Sequence, residues 1–151
     1  MQNLSLGTFA GRQRTPVIGA ELVTNGTFSV NTASWTANSL AALSVTGSEL
    51  LVTLGASSSS AYQDIPVIAG QTYLISGSVR LTTGTTAAME AYGGASFSSL
   101  LWSQSTASAT NVTLGGSVIA TSNVLRINLV GNGGLTNVAV FDNVSLKNVS
   151  G

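Results

Sequence analysis

The sequence predicts an all-β protein, an antiparallel sandwich preceded by an extended N-terminal arm. Three observations carry this: apolar residues recur with period two, turn signals fall roughly every 8–12 residues, and Ser, Gly and β-branched residues interrupt every window where a helix could sit. Residues 1–20 hold Gly7, Gly11, Gly19, Pro16, Arg12 and Arg14 without any acid or sustained period, and read as the arm. Residues 21–151 read as the sandwich domain.

Within the domain a short strand is expected at Leu22–Thr24, followed by a positive-φ turn at Asn25-Gly26. Further short strands are expected at Leu40–Val45, Leu50–Leu54 and Ala61–Ile65. Pro66 closes the last of these and donates no ladder hydrogen bond, which suits an edge or a bulge. The longest alternation is Gln71–Leu81, with Tyr73, Ile75, Gly77, Val79 and Leu81 on one face. Ala87–Tyr92, Ser99–Ser103 and Asn111–Leu114 come next. Leu125, Ile127 and Leu129 then alternate with Arg126 and Asn128, and Val138, Val140, Asp142, Val144 and Leu146 form the closing set. Phe28, Trp35, Tyr73 and Phe141 are the expected aromatic core, the Tyr73 hydroxyl reaching a partner at the rim.

Composition narrows the function. Charged residues make up 7% of the chain, five basic and five acidic, against about a quarter in an ordinary soluble domain. The net charge is zero, so neither a nucleic-acid footprint nor a patch for an anionic membrane is expected. No stretch approaches the ~20 apolar residues of a membrane span. Arg12 and Arg14 follow the few apolar residues of the N-terminus instead of preceding an apolar run, so no signal peptide is read there and the usual export route is not expected. His and Cys are absent, which removes triads, thiolates and thiolate metal sites. Glu21, Glu49, Asp64, Glu90 and Asp142 are dispersed over separate strands and give no sign of a catalytic pair; Glu49 and Asp64 read as solvated. A non-enzymatic binding or structural protein is expected.

Several landmarks occur in order: Glu21-Leu-Val-Thr-Asn-Gly-Thr-Phe28, Trp35, Ala61-Tyr-Gln-Asp-Ile-Pro-Val67, Ala69-Gly-Gln-Thr-Tyr73, Ile75-Ser-Gly-Ser-Val79 and Val140-Phe-Asp-Asn-Val-Ser-Leu-Lys147. Together they resemble the jelly-roll carbohydrate-binding modules of families 4, 9 and 22, over about residues 21–147. Related sandwiches also serve as accessory domains on bacteriophage particles. The resemblance implies a jelly-roll sandwich and two functional readings.

In the first, preferred reading the chain is a virion structural protein, a capsid decoration (cement) protein at the capsid surface. Its partners would be the major capsid protein, other virion proteins and itself, by analogy as a homotrimer. The arm would grip the shell through Phe9, Arg12 and Arg14, and low surface charge and the absence of an export signal favour this reading. The alternative is an extracellular carbohydrate-binding module recognising a polysaccharide. It would use exposed aromatics, because pyranose rings present apolar faces: Tyr62, Tyr92, Phe97 and Trp102, with Gln63, Gln104, Arg80 and Glu90 as hydrogen-bonding partners. Ser99-Leu-Leu-Trp-Ser103 reads equally as a buried strand or contact ridge.

Asp142 shares its alternating face with Val140 and Val144, so its carboxylate is expected to point inward and to need a partner. The residues favour hydrogen bonds from backbone N–H groups near the first turn. The resemblance implies instead a structural calcium at Asp142, although Ser29 stands where the family pattern often has Glu. No other cofactor is expected.

Overall fold

The structure, a computed structural model, describes residues 14–150. In chain order its strands are β1 (Val17–Glu21), β2 (Thr36–Asn38), β3 (Ala42–Thr46), β4 (Glu49–Thr53), β5 (Ser58–Pro66) and β6 (Thr72–Leu81). These are followed by β7 (Thr86–Gly93), β8 (Leu100–Thr106), β9 (Val112–Ile119), β10 (Val124–Asn132) and β11 (Val138–Ser150). The described residues contain no helix. One sheet has the order β3-β4-β11-β6-β9, with β1 added on β11; the other has the order β2-β5-β10-β7-β8. Every pairing is antiparallel. The result is the jelly-roll sandwich that the sequence leads one to expect.

The strands form where period two lets one face pack. In β6, Tyr73, Ile75, Gly77, Val79 and Leu81 are all buried, as the alternation predicts. They meet Leu125, Ile127 and Leu129 of β10 and Met89 of β7 across the sandwich, with Leu50, Val52, Phe141 and Leu146 completing the core. Phe28 and Trp35 are buried with ring centroids 5.6 Å apart, and the Trp35 indole N–H donates to the Asn25 carbonyl at 3.0 Å. The Tyr73 hydroxyl accepts the Ile68 N–H at 2.9 Å, the rim partner its burial requires. Pro66 is the last residue of β5, beyond the reach of β2, so one flank there is unpaired.

Three sequence expectations are corrected. The arm boundary at residue 20 cuts through β1, whose Val17, Ile18 and Glu21 pair with Ser150, Val149 and Lys147. All five β1 side chains are exposed, so no alternation marks this strand, and the strand expected at Leu22–Thr24 is instead the turn that follows it. In the turn, Asn25 has the positive φ of 53°. Gly26 is needed for a different reason: a Cβ there would collide with the Val144 carbonyl.

The third correction concerns Asp142. A register shift between Asp142 and Ser145, with Asn143 at φ 49°, inserts a bulge into β11. Phe141 lies opposite Val79 and Leu146 opposite Ile75, both on the core face, whereas Asp142 lies opposite Ser78 on the outer face. Its carboxylate therefore points outward and is capped by its neighbour: Asn143 donates its backbone N–H to Oδ1 at 2.7 Å and its amide to Oδ2 at 3.3 Å.

Candidate functional site

Central strands with one wetted face alternate between buried and exposed side chains, yet Leu125 to Val130 of β10 are buried without interruption. Leu125, Ile127 and Leu129 face the core. Arg126, Asn128 and Val130 face the other way, and what shelters them is a layer built on the outer face of the five-stranded sheet.

Register assembles this layer. Asn128 lies between Tyr62 of β5 and Glu90 of β7, and Arg126 between Asp64 and Tyr92. Val130 lies between Ser60 and Ala88, small residues that leave a trough across the strands. Phe97, from the loop joining β7 to β8, folds back over this face. Its ring meets Tyr62 edge-on at 5.5 Å and Tyr92 edge-on at 5.4 Å. The Arg126 guanidinium lies 4.0 Å from the Tyr62 ring centre and 4.5 Å from that of Phe97. Asp64 holds it there through two hydrogen bonds, at 2.7 and 2.9 Å. The hydrogen bond to Asp64 raises the Arg126 pKa further, against the opposing effect of burial.

Beside this aromatic wall is a depression of about 300 Å³ lined by Glu90, Tyr92, Phe97, Asn128, Val130 and Asn132, with the Asn38 and Ser58–Ser60 edge opposite. The Tyr92 hydroxyl donates to Glu90 Oε2 at 2.6 Å, and Asn128 Nδ2 donates to the same oxygen at 3.0 Å. Burial and the Glu90 hydrogen bond push the Tyr92 pKa up to about 12, so the phenol remains a neutral donor. Asn128 is 4% exposed, and its Oδ1 is buried with no donor. An exposed aromatic, a carboxylate and an unsatisfied amide around one groove are what a polyhydroxylated ligand requires.

Of the residues expected to bind sugar, Tyr62, Tyr92, Phe97 and Glu90 come together here. Trp102 and Gln104 do not. They pair with Ala91 and Met89 and so take the core-facing side of the edge strand β8. The Trp102 indole packs over Gly116 of β9, where a Cβ would come within 2.5 Å of Nε1, and Gln104 accepts the Gly115 N–H at 2.9 Å. Gln63 is a buried pin, accepting the Thr24 N–H and donating to the Thr24 and Ser34 carbonyls. Arg80 lies on the other sheet, bonded to Glu49 and Asn111. Glu49 and Asp64, expected to be solvated, are each paired with an arginine. Arg126 and Asn128 were missed as site residues; their signal was two polar side chains opposite the apolar set of the most buried strand. Phe9 and Arg12 lie outside the described residues, and Arg14 is exposed ahead of β1.

The donor set at the first turn does not fit calcium. The carboxylate that serves it is Glu21, not Asp142: Oε1 accepts the N–H groups of Leu22, Val23 and Leu146 at 3.1, 3.0 and 2.7 Å, and Oε2 accepts the Ser145 hydroxyl at 2.5 Å. Converging donors occupy these oxygens, and Lys147 lines the same cleft as Asn143 and Asn25. The described residues contain no cluster of three acidic side chains.

No protein-family model matches the chain, and no curated protein matches it. Solved structures do. A family 4 carbohydrate-binding module (CBM4) superimposes with a TM-score of 0.68 at 18% identity, covering 83% of this chain and 98% of that one. The CBM22-1 xylan-binding domain of Paenibacillus barcinonensis Xyn10C gives 0.65 at 17% identity, over 88% and 97%. The TmCBM61 module in complex with β-1,4-galactotriose gives 0.60 at 15%, over 85% and 98%. At these identities the likeness establishes a shared fold: this chain has the jelly-roll sandwich of carbohydrate-binding modules.

Proposed function

We propose that this protein is a non-catalytic carbohydrate-binding module that takes a polysaccharide in the groove on its five-stranded sheet. The observation that carries this reading is the convergence of Tyr62, Tyr92 and Phe97, from two strands and a loop, around Glu90 and a buried, donor-less Asn128 Oδ1. The xylan-binding and galactotriose-bound modules that share the fold support it. A paired-carboxylate mechanism has no support in this groove, where Glu90 is the one carboxylate in the lining and Asp64 is held by Arg126.

Retardation in native gels cast with xylan, mixed-linkage glucan or β-1,4-galactan tests the reading. The wild-type protein is expected to be retarded by at least one of them, and Phe97→Ala and Tyr92→Ala to lose about tenfold or more in affinity. Failure of the folded protein to bind any of the three would overturn it. Capsid decoration draws no support from the described residues, because Phe9 and Arg12 fall outside them. Co-sedimentation with assembled shells, without glycan binding, would restore it.

A further inference from the structure

Taken as a saccharide site, the groove has a charge and a hydrogen-bonding polarity of its own. Glu90 is the one charged side chain lining it. Its Oε2 already receives the Tyr92 hydroxyl and the Asn128 amide. A carboxylate can only accept from an uncharged amide, so this contact fixes the Asn128 orientation: Nδ2 is turned to Glu90, and Oδ1 is left as an acceptor. Oδ1 is buried and has no donor, which costs free energy until something supplies an O–H or N–H. Nearby, Asn38 and Asn132 also spend an amide N–H within the protein, on Ser60 and Thr86. Arg126, the cation of this face, is absent from the lining. Asp64 neutralises it, and the Tyr62 and Phe97 rings lie against it. The groove therefore carries one uncompensated negative charge, with the acceptor Asn128 Oδ1 beside it still lacking a donor.

We propose that Glu90 and Asn128 set the specificity of the groove: an uncharged glycan donates hydroxyl groups to the Glu90 carboxylate and to Asn128 Oδ1, and glycans bearing carboxylates or sulfates are excluded. This rests on the groove being a saccharide site and adds which saccharides it admits. A hydroxyl bound to a carboxylate makes a charge-assisted bond in a sheltered setting, whereas a uronate brought to the same place meets a like charge with no cation to offset it.

Calorimetric titration with matched neutral oligosaccharides (xylo-, gluco- and β-1,4-galacto-oligomers) and an oligogalacturonate tests it on wild type and Glu90→Gln. Wild type is expected to bind a neutral oligomer at least about tenfold more tightly than the uronate. Glu90→Gln is expected to lose about tenfold for the neutral oligomer and to narrow the neutral-to-acidic ratio. A second readout needs no variant: added salt is expected to strengthen whatever uronate binding wild type shows, by screening repulsion, and to leave neutral binding unchanged. Equal affinity of wild type for neutral and acidic oligomers overturns the inference while leaving the saccharide site standing. So does a ratio that Glu90→Gln does not move. Binding of neither class overturns both.

Discussion

Asp64 takes Arg126 with both carboxylate oxygens, Nε donating to Oδ1 at 2.7 Å and Nη2 to Oδ2 at 2.9 Å. The two residues face each other across β5 and β10, and the guanidinium held there lies against the Tyr62 and Phe97 rings. The pair thus sets where the aromatic wall stands. Asp64→Ala leaves a largely buried cation unpaired, and is expected to cost about 1–3 kcal/mol and to weaken glycan binding by releasing Phe97. In a double-mutant cycle with Arg126→Met, the double variant is expected to lose less stability than the sum of the singles, read by urea unfolding.

Trp102 separates structure from binding. Its indole packs over Gly116 between the sheets and does not reach the groove. Trp102→Ala is expected to destabilise by about 2 kcal/mol and to leave glycan affinity within about twofold, the reverse of Phe97→Ala. Thermal melts and titrations on the same two preparations check this.

Acid response is expected to come from two carboxylates of opposite sign. Burial alone would raise the Glu21 pKa, but the hydrogen bonds from Ser145, Leu146, Val23 and Leu22 outweigh it and leave the group below its ordinary 4.5. A depressed acid stabilises the fold above its unfolded value, and that contribution is lost as pH falls through the lower folded value. Asp142 is raised above 3.8, chiefly by burial; the Asn143 N–H opposes this and the Glu49 charge adds to it. It therefore penalises the fold at neutral pH and is relieved on protonation. In melts between about pH 3 and 7, Glu21→Gln is expected to lower the neutral-pH midpoint and flatten the acid limb, whereas Asp142→Asn raises the neutral-pH midpoint slightly.

Gly26 sits where the first turn meets the β11 bulge, its carbonyl accepting the Val144 N–H at 2.9 Å. A methyl group there meets the Val144 carbonyl, a backbone atom that cannot rotate away. Gly26→Ala is expected to cost more than about 2 kcal/mol by chemical denaturation, although its φ is not positive.

Strand identity was legible wherever one face packs and the other does not. Gln71–Leu81 shows this: each residue assigned to the core face is buried. Asp142 and Trp102 show the limit of period-two reading. A bulge in β11 reverses parity between Phe141 and Val144, and another irregularity between Ala91 and Tyr92 intervenes where β7 meets β8. Neither carries a residue-type signal strong enough to locate it. β1 and β2 escaped for a different reason, being short strands whose side chains are mostly exposed. The aromatic members of the site were recognisable singly, but their meeting with Asn128 and Arg126 depends on strand order and register, which single-strand alternation does not encode.

Strand β11 pairs along one flank with β6 and along the other first with β4 and then with β1. It joins partners from earlier in the chain, and of the eleven described strands it is the last to be synthesised. Until it emerges, β1 and β4 have no seat in the larger sheet, so that layer closes only after the rest has been made. Such distant pairings are slow to form and leave strand edges open meanwhile. Trimming residues 147–150 removes every ladder partner of β1 and leaves it held only through the Glu21 carboxylate, a loss that removing the same number of residues from a loop would not produce.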